Sequence, residues 1–183
     1  MTSDSQLAER LRLGDEEAFT ALYEKYSSML YNHLFYMVGK QELAEDLLHE
    51  VLMTMLTKIN FYTENESLKN SFKAWLFRIA TNRAIDEIRK NKVIQFEEVS
   101  VDLVDEVEVE FSLEKLWRDK KLHDLFSKLP LIQRTFLNLK VNNDLSHLEI
   151  ARVCSCQVNT VKQGLFQARK TLKNLLVAEG VEL

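Results

Sequence analysis

The chain has 183 residues, which is enough for one domain or two small ones with an apolar core. Its 4 Gly and 1 Pro leave too little turn chemistry for a sheet protein, so the composition predicts an all-α fold. The formal net charge of −4, taken alone, argues against a nucleic-acid-binding protein.

Counted by segment, the charge gives the opposite indication. Residues 1–95 carry a net charge of −2, residues 96–113 carry −7 and residues 114–183 carry +5. Within the first segment, residues 73–92 contain six cations and two acids. Two basic patches on either side of an acidic strip are typical of a protein with a charged partner.

The sequence shows no targeting or membrane-spanning segment. Its first residues have neither a basic nor an apolar signal region, and no run approaches the roughly 18 apolar residues of a membrane span. We therefore expect a cytoplasmic protein without membrane insertion. Cys154 and Cys156 are the only cysteines and lack a second Cys/His pair, so we interpret them as reduced thiols and expect neither a metal nor a cofactor.

Apolar residues recur at three- and four-residue steps through the first third of the chain. This periodicity predicts helices at about 4–13, 15–38 and 41–59. The stretch 60–71 loses the periodicity and gains polar residues, which predicts a loop.

The next helix, Phe72 to Lys90, combines an apolar stripe with a basic face. At 100° per residue, Phe72, Leu76, Ile79 and Ala80 share one side of this helix. The cations lie largely elsewhere, at Lys73, Arg78, Arg83, Arg89 and Lys90. Such a helix packs through one face and offers the other to polyanions.

Residues 96–113 alternate acids with β-branched apolar residues, a pattern that locally predicts a strand. An isolated strand is unstable in water, so we interpret 96–113 as an extended acidic linker between two small helical domains, 1–95 and 114–183. In the second domain we expect helices at about 114–128 and 131–140, interrupted by Leu129-Pro130.

The segment from Leu145 to Leu176 predicts a helix-turn-helix motif. Ser146 and Glu149 form a capping box that starts the first helix, and Cys154 to Gln157 supply a tight turn. The second helix fits a major groove, where cations hold phosphates and amides can read adenine edges. Its outer face offers Asn159, Thr160, Lys162, Gln163, Arg169 and Lys173.

These motifs resemble the extracytoplasmic-function (ECF) sigma factors of the sigma-70 family over nearly the whole chain. The helix from Phe72 to Lys90 resembles the family's promoter-opening segment. Asp46-Leu47-Leu48-His49-Glu50 resembles its polymerase-docking helix, with His49 in place of the usual Gln. In the second domain the resemblance is carried by Leu129-Pro130 with Arg134, Glu149-Ile150-Ala151, Thr160-Val161-Lys162 and Ala168-Arg169.

The resemblance implies a role for each segment. Asp46, His49 and Glu50 would contact core RNA polymerase, and linker 96–113 would thread its active cleft. Asn82 and the loop 60–71 would receive a base flipped from the minus-ten element. The DNA backbone would be held by Lys73, Arg78, Arg83, Arg89 and Lys90. Unpaired bases would stack on Phe61 and Tyr62, whereas Trp75 is more often a core residue in this pattern.

The resemblance further implies that 114–183 binds the minus-thirty-five element of promoter DNA, and that an anti-sigma factor regulates the protein in trans. Four positions depart from the family pattern, namely Ser155 for the turn Gly, Gln157 for a capping Ser, and Gly164 and Gln167 for DNA-binding Arg residues. We therefore expect weak binding to the upstream element, and stronger binding when Arg is restored at Gly164 and Gln167.

Two other functions stay open at this point. One is an operator-binding regulator whose N-terminal bundle dimerises; the docking motif and the linker argue against it. The other is an RNA- or nucleotide-handling enzyme. The sequence has no Gly-rich phosphate loop, no metal-spaced carboxylate pair and no oriented nucleophile, so we expect neither catalysis nor a small-molecule substrate.

Overall fold

A computed structural model describes residues 2–91, 125–126 and 128–179. Every regular element in these ranges is helical. The α-helices are α1 (Asp4–Arg12), α2 (Glu16–Val38), α3 (Gln41–Lys58), α4 (Ser71–Asn91), α5 (Leu131–Leu137), α6 (His147–Cys154) and α7 (Val158–Ala178). A 3₁₀ turn, Ile59–Phe61, follows α3, and a π-helical segment, Asn138–Asn142, follows α5.

Local capping sets several helix ends. Ser3 begins α1 through a capping box with Gln6, and the Asp15 carboxylate accepts hydrogen bonds from two backbone N–H groups of α2. Gly39 ends α2 with a φ of 73°, a left-handed conformation that glycine adopts without steric cost. The capping box predicted from Ser146 and Glu149 is present at the start of α6.

The N-terminal body packs α1, α3 and α4 around α2, which places α4 in a fixed orientation. The buried residues of α4 follow the predicted apolar stripe and include Phe72, Leu76, Phe77, Ala80 and Ala84. Burying aromatic and branched side chains stabilises the fold by about 1.5–3 kcal/mol each. The opposite side of α4 therefore remains free to face solvent.

The C-terminal body packs α5, α6 and α7 through a second apolar centre. Phe136 and Leu137 from α5 lie with Ile150 from α6 and with Val161 and Leu165 from α7, all 2% exposed or less. The two bodies also contact each other, because α4 packs against α6 and α2 packs against the π-helical segment.

Predicted and observed elements agree closely in the N-terminal body and in the helix-turn-helix of the C-terminal body, and they differ at the helix expected at 131–140. The helix expected at 131–140 ends at Leu137, and the backbone then widens into the π-helical segment. This widening coincides with a buried contact between Asn138 and His33, a long-range interaction that hydrophobic periodicity does not encode. The linker 96–113 and residues 114–124 of the helix expected at 114–128 lie outside the described residues.

Candidate nucleic-acid and polymerase interface

The solvent side of α4 presents a row of cations. Arg78, Arg83, Arg89 and Lys90 are exposed, and Asn82 lies exposed among them. Arg78, Asn82 and Arg89 fall within about 40° of one another around the helix and extend over roughly 16 Å of its length. Asp86 and Glu87 approach Arg89 and Lys90 at 4.0 and 3.1 Å, which partly offsets the basic charge at the C-terminal end.

The predicted loop is ordered by contacts at both ends. The Arg12 guanidinium donates to the Tyr62 carbonyl at 2.7 Å, and the Asn65 N–H donates to Ser71 Oγ at 2.8 Å. These bonds attach the loop to α1 and to the first residue of α4. They hold it beside the N-terminal end of the basic helix.

The two loop aromatics differ in accessibility. Phe61 is 81% exposed and can stack on a base. Tyr62 is only 5% exposed, with its ring centroid 5.3 Å from that of Phe72 and 5.4 Å from that of Trp75. Tyr62 therefore belongs to an aromatic cluster of the core in this conformation. Trp75 is partly buried in the same cluster, in line with the expectation that it packs.

The three residues expected to contact polymerase share the exposed part of α3. Asp46, His49 and Glu50 are all exposed. Two apolar neighbours that were not predicted, Met53 and Leu56, are 61% and 37% exposed beside them. The spacing in the sequence could have indicated them, since Met53 and Leu56 follow His49 by four and seven residues and therefore lie on the same side of the helix as His49.

The candidate surfaces on α3 and α4 meet at Arg83. Its guanidinium lies 3.9 Å from the Glu50 carboxylate and donates to Thr54 Oγ1 at 3.4 Å. The Arg83 and Glu50 side chains are 45% and 57% exposed, so this pair contributes at most a few tenths of a kcal/mol. The contact instead shows that the patch on α3 formed by Asp46, His49 and Glu50 lies next to the basic row on α4.

Lys73 lies apart from the other cations of α4. Its Nζ donates to the Asn143 carbonyl of the C-terminal body at 2.6 Å. The side chain is half-buried, and burial lowers the pKa of its ammonium group. In this conformation the structure therefore directs Lys73 at the C-terminal body, away from the exposed basic row.

The outer face of α7 is polar, as predicted. Asn159, Lys162 and Lys173 are exposed, whereas Thr160, Gln163 and Arg169 are partly buried. Val161, Leu165, Ala168 and Leu172 anchor the opposite face in the core. The second helix of the motif therefore carries one packed side and one polar side.

Gly164 does not lie on the polar face, so the expectation that an Arg there would meet DNA is wrong. A Cβ at this position would lie 2.5 Å from Cδ2 and 2.6 Å from Cε2 of Phe136. The missing side chain makes room for the Phe136 ring, which is fully buried. Gln167 is partly buried, and its replacement by Arg remains a prediction.

The turn between α6 and α7 shows the effect of the other two departures. Ser155 adopts a left-handed conformation with a φ of 54°, which glycine would adopt with less strain. Gln157 occupies the N-cap of α7 and makes no side-chain capping hydrogen bond. The motif thus keeps its geometry without the residues that usually favour it.

Within the described residues, no helix is long and apolar enough to cross a membrane. The same part of the chain contains no group of three or more His, Cys, Asp or Glu side chains arranged to hold a metal ion.

Comparison with known families identifies the family of the chain that carries these surfaces. Residues 22–93 match the family model for Sigma-70 region 2, and residues 119–172 match that for Sigma-70, region 4. Together the two models cover more than half of the chain. The chain belongs to the ECF sigma factors of the sigma-70 family.

Individual relatives agree with this assignment. The chain is 32% identical over 176 residues to the ECF RNA polymerase sigma factor BldN of Streptomyces coelicolor, covering 93% of this chain and 65% of BldN. It is 30% identical over 159 residues to the ECF RNA polymerase sigma factor SigM of Bacillus subtilis, covering 84% of this chain and 92% of SigM.

A solved sigma factor has the same fold. RpoE, crystallised in complex with the anti-sigma factor NepR from Bartonella quintana, superposes with a TM-score of 0.64 at 22% identity. The match covers 86% of this chain and 96% of that one. The chain is thus an all-α sigma factor with matches to region 2 and region 4, and it acts in transcription initiation.

Proposed function

We propose that this sigma factor binds core RNA polymerase and directs initiation at promoters through their minus-ten and minus-thirty-five elements. The observation that carries the proposal is the pairing of two exposed faces in one chain. The basic row of α4 lies within the region 2 match, and the polar face of α7 lies within the region 4 match. We divide the chain into domains 1–95 and 114–183 joined by linker 96–113.

Polymerase docking is assigned to α3. Asp46, His49 and Glu50 form an exposed polar patch, and Met53 and Leu56 add an apolar area beside it. A central apolar area with charged neighbours is the usual composition of a protein–protein interface. We propose that a basic helical surface of the polymerase covers this patch.

Promoter opening is assigned to α4 and the loop before it. Arg78, Arg83, Arg89 and Lys90 would neutralise phosphates, which positions the strand without reading its sequence. Asn82 and Phe61 are exposed and can respectively hydrogen-bond and stack on an unpaired base. Lys73 and Tyr62 would join this surface only after they leave their present contacts.

Upstream recognition is assigned to α7. Asn159 and Gln163 would read base edges in the major groove, as amides read adenine. The phosphates would be held by Lys162, Arg169 and Lys173, with Thr160 at the start of the helix. The acidic linker suits the basic cleft of the polymerase through charge complementarity.

We further propose an anti-sigma factor as the regulator. The anti-sigma complex of RpoE, whose fold this chain shares, supports the proposal. An anti-sigma factor that covers the α3 patch would compete directly with polymerase.

Charge reversal on α3 tests polymerase docking. The double variant Asp46→Lys and Glu50→Lys should lose co-purification with core polymerase and keep its helical circular dichroism. The matched control is Glu24→Lys, an exposed acid on α2 outside the patch. Equal recovery of polymerase with the double variant and the control would refute the assignment.

A further inference from the structure

The first helix, α1, carries none of the surfaces assigned above, and it is fixed to α2 at both ends. Its buried residues are Leu7, Ala8 and Leu11. At the start of α1, the hydroxyl of the buried Tyr26 donates to the Asp4 carboxylate. Near its end, Arg10 Nε donates to the Asp15 carboxylate at 2.7 Å. This helix is therefore a fixed support for whatever its other polar side chains bind.

Two side chains of α1 reach the loop 60–71. Arg12 Nη2 donates to the Tyr62 carbonyl at 2.7 Å, and Ser5 Oγ donates to the Glu64 carboxylate. Arg12 Nη1 also donates to Glu9, one turn earlier on α1, which orients the guanidinium. Positions 5, 9 and 12 follow one another by four and three residues, so all three lie on one face of the helix. That face holds the loop at two points.

A cleft of about 440 Å³ lies between α1 and the loop. Most of its lining is polar, with Ser5, Glu9 and Arg12 on α1 and Asn60, Thr63 and Glu64 on the loop. The bonds of Arg12 and Ser5 therefore cross a polar cleft and not a packed apolar core. Removing either bond leaves no core cavity, so its effect on the loop can be measured in a folded chain.

The carbonyl that Arg12 binds lies one residue after the exposed aromatic of the loop. Phe61 ends the 3₁₀ turn and is 81% exposed. The residues that anchor this turn, Ile59 and Tyr62, are 4% and 5% exposed, and the Tyr62 N–H donates to the Ile59 carbonyl at 3.1 Å. Arg12 thus holds the backbone at the point where the chain turns inward and leaves Phe61 outside.

We infer that Arg12 is a positioning residue for base recognition, because its bond to the Tyr62 carbonyl holds the 3₁₀ turn in the conformation that presents Phe61 to an unpaired base. Ser5 supports it through Glu64. The part played by Phe61 rests on the proposed function. A charge-assisted hydrogen bond is stronger than a neutral one, and a loop held in advance loses less conformational entropy when a base binds. A fixed loop also adapts less to a wrong base, which increases discrimination.

Transcription by the polymerase holoenzyme tests the inference on a panel of promoters with each base at each minus-ten position. Arg12→Gln should reduce discrimination at one position about tenfold. The matched control, Arg10→Gln, removes the same charge from the same helix and leaves the loop bonds intact. Mere destabilisation would lower transcription from every promoter by one factor and preserve the ratios. Such a uniform loss, or equal ratios in the two variants, would overturn the inference.

Ser5→Ala covers the case in which Arg12→Gln does not fold. It removes the bond to Glu64 from an exposed position on α1 and should reduce discrimination at one minus-ten position by about threefold. The matched control is Ser28→Ala, an exposed serine on α2. Without a folded Arg12→Gln chain, equal discrimination in the two serine variants would overturn the inference.

Amide hydrogen exchange of the free full-length chain separates this inference from the proposed function. The Tyr62 amide should exchange about tenfold faster in Arg12→Gln than in Arg10→Gln, whereas the Ala74 amide, bonded within α4 to the Asn70 carbonyl, should not differ. Equal Tyr62 exchange would show that Arg12 does not hold the turn. If the unaltered protein shows no base preference on the promoter panel, the proposed function fails, and Tyr62 exchange still decides whether Arg12 holds the loop.

Discussion

At the residue scale, the absence of a side chain at Gly164 lets α7 pack closely against Phe136. Gly164→Ala would place a Cβ 2.5 Å from the Phe136 ring, closer than van der Waals contact allows. Overpacking of a core costs about 1–3 kcal/mol, so we expect the free energy of unfolding to fall by that amount. Chemical denaturation monitored by circular dichroism measures it.

A second substitution tests whether the clash with Phe136 causes the loss of stability in Gly164→Ala. Phe136→Leu replaces the ring that packs against Gly164 with a smaller side chain. Introduced into the Gly164→Ala background, it should recover part of the loss, because contacting residues are not additive. Purely additive losses in the double variant would show that the Cβ does not clash with Phe136. Gln167→Ala, on the partly buried face of α7, serves as the control.

His33 predicts a pH dependence of stability with a defined sign. Its pKa is about 3 when folded because of burial, against about 6.5 in an unfolded chain. Below pH 6.5 the unfolded chain binds a proton that the folded one does not. The stabilisation is therefore complete above about pH 6.5 and is lost as the pH falls towards 3, by at most about 1.4 kcal/mol per pH unit.

Denaturation between about pH 5 and 7 isolates this residue from most carboxylates. The nearby cation on α4 is Lys73, whose Nζ lies over the Phe77 ring. The same ring packs edge-on against the His33 imidazole, with centroids 5.2 Å apart. The difference in unfolding free energy between the wild type and His33→Gln should shrink on acidification. A difference that stays constant over this range would mean that His33 titrates normally in the folded protein.

At the element scale, Gly164 and Gln167, which both depart from the family pattern, lie in different environments on α7. Gly164 faces Phe136, whereas Gln167 is partly exposed beside the polar face. Gln167→Arg should strengthen binding to duplex upstream DNA and steepen its dependence on salt by about one unit of slope. Fluorescence anisotropy across a salt series measures both. Gln167→Glu should shift both in the opposite direction, and unchanged slopes would place Gln167 away from the phosphates.

In α4, the prediction concerns base preference. Asn82 is exposed between Arg78 and Arg83, and its amide can donate and accept at an unpaired base. Asn82→Ala should reduce discrimination at one minus-ten position by about 1–3 kcal/mol and leave polymerase affinity unchanged. Transcription from a panel of promoters with single substitutions measures this. A preference that survives Asn82→Ala and changes when 60–71 is exchanged would assign recognition to the loop alone.

The faces of the helices were predictable, and the exceptions have physical causes. Periodicity placed Phe72, Leu76 and Ala80 on the buried side of α4 and Arg78 on the exposed side. It did not separate Phe61 from Tyr62, because the loop has no periodicity and only the packing of Phe72 and Trp75 draws Tyr62 inward.

At the scale of the whole molecule, the sequence predicted two helical domains without indicating how they touch. His33 had the pattern of an ordinary packing residue, since its partner Asn138 is 105 positions away along the chain. Glu149 was correctly predicted as a capping residue, and its bond to Asn70 was not predictable from local spacing. Contacts between domains depend on three-dimensional placement, which neither motifs nor propensities contain.

The most direct test of the central claim is transcription by core polymerase with and without this protein, with all transcription starts mapped across a genome. We predict new starts at a set of promoters that share paired minus-ten and minus-thirty-five sequences, and their loss with the Asp46→Lys and Glu50→Lys double variant. The same starts with and without the protein would contradict the account.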